Sequence, residues 1–96
     1  MFNSFWNNKK ILITGETGFK GSWLSLWLLM SGAKIYGFSL KPNLNQKLFN
    51  DIFLDSKDIN KFPGTFYHRT GDIRNLTSLK EYIDDIQPEF VFHLAA

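Results

Sequence analysis

The chain is expected to fold as an α/β protein, the first half of a doubly wound parallel sheet with strand order 3-2-1-4. Two observations predict this. Strand-like and helix-like segments alternate along the whole length, and a turn with glycines at three-residue spacing joins the first strand to the first helix. Alternation of this kind lays strands in parallel with helices on both faces, and the crossovers should be right-handed.

Each element has its own signal. Lys10-Ile11-Leu12-Ile13-Thr14 is a short apolar, β-branched run ending at a glycine, as a buried parallel strand does. Phe19 to Ser31 reads as a helix: Phe19, Trp23, Leu26, Trp27 and Met30 recur at helical spacing, and Leu24 and Leu28 widen that face. Trp23 and Trp27 are expected in the core. Gly32 suits the left-handed residue beyond the helix end. Lys34 to Leu40 is a second strand. Between Pro42 and Gly64 the signal is weak. Leu48, Phe49, Ile52 and Phe53 suggest one short amphipathic helix, and Asp55 to Asn60 a solvated turn. Asp55 and Asp58 lack the glycine and the closing glutamate of a calcium loop, so no metal is expected. Thr65 to Thr70 is a third strand, closed by Gly71-Asp72. Asn75 or Thr77 can cap the next helix, with Ser78 and Glu81 fitting a capping box one register later. Leu76, Leu79, Ile83 and Ile86 mark its buried face, and Pro88 stops it. Phe90-Val91-Phe92 begins a fourth strand.

Composition narrows the class. An apolar fraction of 44% over 96 residues fits one small folded unit and not a disordered chain. Eleven basic against 9 acidic residues leave +2, without the dense basic patch of a nucleic-acid binder. No cysteine is present, which excludes disulfides and thiolate metal sites. Residues 1–8 lack the apolar stretch of a signal peptide, and Phe19 to Met30 is too short to span a bilayer. A soluble cytoplasmic protein with no membrane partner is expected.

The chemistry resides in Gly15-Glu16-Thr17-Gly18-Phe19-Lys20-Gly21. Gly15 lets the chain leave the strand in a tight turn. Gly18 carries no side chain, so a dinucleotide pyrophosphate can approach the backbone, and Gly21 lets the helix pack close to the sheet. The helix start offers free N–H groups and the positive end of its dipole. A strand before the motif and a helix after it are the context that gives this spacing meaning. The fold expected is therefore Rossmann-type.

The longer string from Thr14 to Leu28, with Phe19-Lys20-Gly21-Ser22-Trp23-Leu24-Ser25-Leu26-Trp27-Leu28, resembles the nucleotide-sugar branch of the extended short-chain dehydrogenase/reductases. Within that branch it is most similar to the CDP-glucose 4,6-dehydratase family, where a lysine precedes the third glycine. Phe5-Trp6, Gly71-Asp72-Ile73-Arg74 and His93-Leu94-Ala95-Ala96 match the same family, and the likeness is weakest between Pro42 and Gly64.

The resemblance implies an NAD cofactor. Backbone at Phe19 and Lys20 would meet the pyrophosphate. Asp72 and Ile73 would lie against the adenine, with the Asp72 carboxylate accepting from its exocyclic amine. Leu94, Ala95 and Ala96 would line the cofactor toward the nicotinamide. It also implies the family reaction, a redox-neutral conversion of CDP-glucose to CDP-4-keto-6-deoxyglucose, in a homo-oligomeric enzyme. Glu16 stands where the family often has histidine or a neutral residue, and a carboxylate near a pyrophosphate would repel it unless screened. The residues alone leave NAD and NADP open: Ser39 stands where an acidic residue would hold the ribose diol, no Asp or Glu other than Glu16 occurs before Asp51, and Lys41 is placed to meet a 2′-phosphate. The resemblance implies NAD with Ser39 as the ribose partner.

His68 is expected to be structural, and His93 to position rather than catalyse. Arg74 is either a surface residue or a helix-start contact. The family's base is a Tyr-x-x-x-Lys pair. Tyr36, Tyr67 and Tyr82 are followed four residues later by Leu40, Gly71 and Ile86, so no residue here is assigned to catalysis. Residues 1–96 are accordingly expected to be the front part of an NAD(P)-binding domain, with the substrate domain absent and the reading frame continuing past Ala96. Two other readings stay open: another extended family member, such as a sugar epimerase or reductase, and a non-catalytic remnant.

Overall fold

The computed structural model describes residues 4–41, 46, 49–54 and 61–94. Four parallel strands form its sheet in the order β3-β2-β1-β4, with β1 spanning Lys10–Thr14, β2 Lys34–Ser39, β3 Thr65–Thr70 and β4 Phe90–His93. This is the expected 3-2-1-4 order. Helix α1 (Phe19–Met30) joins β1 to β2, and α2 (Leu76–Ile86) joins β3 to β4.

β1 is flanked on both sides, by β2 and by β4, so neither of its edges meets water. That position demands apolar residues on both faces, and the β-branched run supplies them. Ile11, Leu12 and Ile13 are all fully buried. The pleat divides them. Ile11 and Ile13 join Ile35, Leu28, Leu29 and Ala33 on the α1 face, while Leu12 joins Phe38, Tyr82 and Ile86 on the α2 face.

Helix α1 departs from expectation. Phe19, Trp23 and Trp27 are 71%, 51% and 40% exposed, and the buried residues are Gly21, Ser22, Ser25, Leu28 and Leu29. The helix is apolar nearly all round, so periodicity did not say which stripe faces the sheet. Small residues win because they let the helix start lie close to the turn before it. Ser22 is fully buried, and its hydroxyl donates to the Glu16 carbonyl at 3.0 Å. Gly32 takes φ +87° as expected, and its N–H and that of Ala33 close the helix end on Leu29 and Leu28.

In α2 the cap is Asn75, whose Oδ1 accepts from the Ser78 N–H at 3.2 Å. Tyr82 and Ile86 are buried, whereas Leu76, expected on the same face, is 73% exposed in the first turn. Gln87 in the left-handed region ends the helix just before Pro88. Of the four residues expected to form a short amphipathic helix, Phe49 and Phe53 are buried on the α1-side core, around a π-helical turn at Asn50–Leu54. Leu48 and the expected turn from Asp55 to Asn60, with its Asp55/Asp58 pair, lie outside the described residues. No helix among the described residues is long and apolar enough to cross a membrane.

Candidate functional site

The switch in strand order lies at β1, which has β2 on one side and β4 on the other. Ligands of open α/β sheets bind outside the carboxyl ends of the strands at such a point. A cleft of about 450 Å³ opens there, lined by the residues that follow all four strands: Gly15 and Gly18, Ser39 and Leu40, Gly71 to Arg74, and Leu94. Parallel hydrogen bonding carries the sheet up to its mouth. Gly15 N–H donates to Phe38 O at 3.1 Å, Gly71 N–H to Ser39 O at 2.8 Å and Leu94 N–H to Thr14 O at 2.9 Å.

The glycine turn forms one wall. Gly15 holds φ +78°, a conformation that favours glycine. A Cβ on Gly18 would meet only Gly15 O, at 3.5 Å, so the turn stays open at that position. Gly21 does not line the cleft. A Cβ there would overlap Gly15 O and crowd the Glu16 Cα, so its role is to let α1 pack on the turn rather than on the sheet. Within α1, Ser22 N–H bonds back to Gly18 O at 2.8 Å. The Phe19, Lys20 and Gly21 amides therefore belong to the unpaired first turn that a helix offers to an anion. The side chains of Phe19 and Lys20 point into solvent.

Asp72, Ile73 and Arg74 form the other wall. Asp72 is held by Arg74: Oδ1 accepts the Arg74 backbone N–H at 2.9 Å and Nε–H at 3.0 Å, and Oδ2 accepts from Nη2 at 2.6 Å. Hydrogen bonds from the Arg74 side chain, then from its backbone, lower the Asp72 carboxyl from 3.8 to about 2. A depressed carboxyl contributes to stability at neutral pH, and that contribution is lost only as pH falls from 3.8 through about 2. In an Arg74→Ala variant the Asp72 carboxyl carbon, followed by NMR, should titrate nearer 3.8. A midpoint unchanged by the substitution would show that Arg74 is not the cause. Arg74 is thus a surface residue, 87% exposed, that pairs with Asp72 at the rim of the cleft.

Ser39 lies at the end of β2, buried and at the cleft, with its hydroxyl donating to Leu40 O at 3.1 Å. Lys41 is exposed just beyond it. Ala95 and Ala96 lie outside the described residues. Thr17, Leu40 and Gln46 line the cleft without being expected site residues, and Gln46 Nε2 donates to Thr17 Oγ1 at 3.0 Å. Thr17 was legible only as a spacer between glycines, and Gln46 lies in the stretch without periodicity.

The expected repulsion by Glu16 does not arise in the form anticipated. Its side chain turns under the sheet, is fully buried, and lies 2.6 Å through Oε2 from His68 Nδ1. His93 Nδ1 lies 2.6 Å from Thr14 Oγ1, joining the ends of β1 and β4. Burial, with the Glu16 charge adding to it, pushes the Tyr82 phenol up to about 12, far from the range of a base at neutral pH. Among the described residues no cluster of His, Cys, Asp or Glu could hold a metal. The residues present fit a dinucleotide: an open glycine turn and first-turn amides for phosphates, and a polar and apolar pair, Asp72 and Ile73, across the cleft for a base.

Comparison with known proteins shows the family and the fold. Residues 12–96 match the family model described as GDP-mannose 4,6 dehydratase. The chain is 40% identical to a CDP-glucose 4,6-dehydratase of Salmonella typhimurium over 97% of its length and 24% of that protein's. It is 35% identical to GDP-mannose 4,6 dehydratase 1 of Arabidopsis thaliana, over 92% of this chain and 24% of the relative. Among solved structures it superposes on Pen from Bacillus thuringiensis with a TM-score of 0.72 and 28% identity, over 98% of this chain and 26% of that one. An epimerase from Methanothermobacter thermautotrophicus gives 0.67 and 27%, over 97% and 24%. The chain spans about a quarter of the length of the curated relatives it matches.

Proposed function

Since the chain belongs to the GDP-mannose 4,6 dehydratase family, we propose that it is the NAD-binding front part of a nucleotide-sugar dehydratase acting on CDP-glucose. The observation that carries the cofactor reading is the cleft at the switch point, walled by the glycine turn on one side and Asp72–Ile73 on the other. The likeness to a CDP-glucose 4,6-dehydratase over nearly the whole chain supports the substrate.

In this reading the Phe19 and Lys20 amides, with the helix dipole behind them, hold the pyrophosphate. Ile73 packs against the adenine, and Asp72 accepts from its exocyclic amine in exchange for part of its contact with Arg74, which takes up both carboxylate oxygens. Ser39 meets the ribose, and Leu94 lines the way to the nicotinamide. When bound, NAD supplies an acceptor and donor of hydride for a dehydration that is redox-neutral overall, giving CDP-4-keto-6-deoxyglucose. These 96 residues bind and orient. The base and the sugar-binding groups lie outside them, in a domain we infer downstream.

The protein expressed from its complete reading frame should bind NAD more tightly than NADP by calorimetry, and tighter binding of NADP would overturn the cofactor assignment. Ser39→Asp should strengthen NAD binding about tenfold, because a carboxylate at that place accepts both ribose hydroxyls. Formation of CDP-4-keto-6-deoxyglucose from CDP-glucose, and none of the corresponding product from GDP-mannose, tests the substrate.

A further inference from the structure

The Glu16–His68 pair is not explained by stability. Its carboxylate is fully buried, yet Oε1 has no hydrogen-bond partner among the described residues. A half-satisfied polar pair with a buried carboxyl is a poor stabiliser, and apolar residues of similar volume often do better. The fold nonetheless makes room for it. Gly37, in register with His68 on β3, is the place where a Cβ would overlap the Glu16 carboxylate. The rest of Glu16 is fixed as closely, with its carbonyl accepting from Ser22 Oγ and its Cα against Gly21.

What the pair joins gives its use. Glu16 belongs to the turn that forms one wall of the cleft. His68 is two residues before Thr70, and its Nε2 lies 3.1 Å from Thr70 Oγ1, immediately ahead of Gly71 and Asp72 on the other wall. β3 is the outermost strand and touches β1 only through β2. Across 52 residues of sequence, the pair bonds the glycine turn directly to the strand that leads into the other wall.

We propose that Glu16 and His68 are a positioning pair that fixes the spacing of the phosphate-side wall against the adenine-side wall, and so sets affinity for ligands that span both. This rests on the dinucleotide reading above. In the protein expressed from its complete reading frame, Glu16→Ala and His68→Ala should each weaken ADP-ribose about tenfold, as loss of one member of a buried pair frees the other. Adenosine reaches only the Asp72–Ile73 wall, and its affinity, read by NMR titration, should change less than twofold. Glu16→Gln and His68→Asn keep an acceptor and a donor in place and should hold ADP-ribose binding near the wild-type value. The double alanine variant should be no worse than the weaker single one. Should an alanine variant fail to fold, His68→Phe keeps the ring volume without the donor and carries the same expectation. Equal weakening of adenosine and ADP-ribose would mean general loosening and overturn the proposal, as would ADP-ribose binding unchanged by the alanine variants. A wild-type protein that binds neither ligand overturns this proposal and the cofactor reading together.

Discussion

Gly21→Ala should unfold the protein. The added methyl would overlap Gly15 O and crowd the Glu16 Cα, both of them backbone atoms that a rotamer change cannot move aside. Overpacking of this kind usually costs about 1–3 kcal/mol where side chains can adjust, and more where they cannot. Whole domains have only about 5–15 kcal/mol to lose. The loss should appear in urea unfolding as a midpoint near zero denaturant. Gly18→Ala is the contrast. Its methyl meets only Gly15 O, at an ordinary 3.5 Å, so the unfolding midpoint should hardly move. The same methyl stands on the open side of the turn, where a pyrophosphate would lie, and NAD binding should fall at least tenfold. A Gly21→Ala protein as stable as wild type would show that α1 does not rest on the turn as described.

The 96-residue chain alone should associate through β4. This strand ends the sheet, and its outer side has no partner strand among the described residues. Val91 is 54% exposed, and the flanking Phe90 and Phe92 are partly buried, with Trp6 at ring separations of 5.2 and 6.1 Å. An open apolar edge of this kind is a template for pairing with another chain. Sedimentation should show oligomers or aggregates, and Val91→Lys should shift the population toward monomer by placing a charge on the edge. A wild-type monomer with strongly protected β4 amides would contradict this. Of the other apolar residues that the missing half of the sheet was expected to leave partly uncovered, Ile11 and Ile13 are fully buried, because α1 and the Phe49–Phe53 turn close over that face, whereas Trp27 is 40% exposed.

The strands and their order were legible because a central parallel strand must be apolar on both faces, and Lys10–Thr14 is spelled that way. The glycine spacing then located the cleft. Helix α1 was misread for a physical reason. Tryptophan and leucine occur on all its sides, and the face that packs is chosen by size, with Gly21, Ser22 and Ser25 admitting the close approach. Leu76 was misassigned because a first-turn residue projects beyond the sheet that covers Tyr82 and Ile86. Glu16 was out of reach of local reading altogether. The space it occupies is created by Gly37 and its partner is His68, so a residue that looked like a charge beside the phosphates is a buried tie between strands.

The central claim is that one dinucleotide lies across the strand ends, between the glycine turn and Asp72–Ile73. Hydrogen exchange measured with and without saturating NAD, on the protein from its complete reading frame, tests it most directly. Protection should rise together at residues 15–22 and 71–74, on both walls, with β3 residues 65–67 unchanged at the far end of the sheet. Protection on neither wall, or confined to surfaces away from the strand ends, would contradict it.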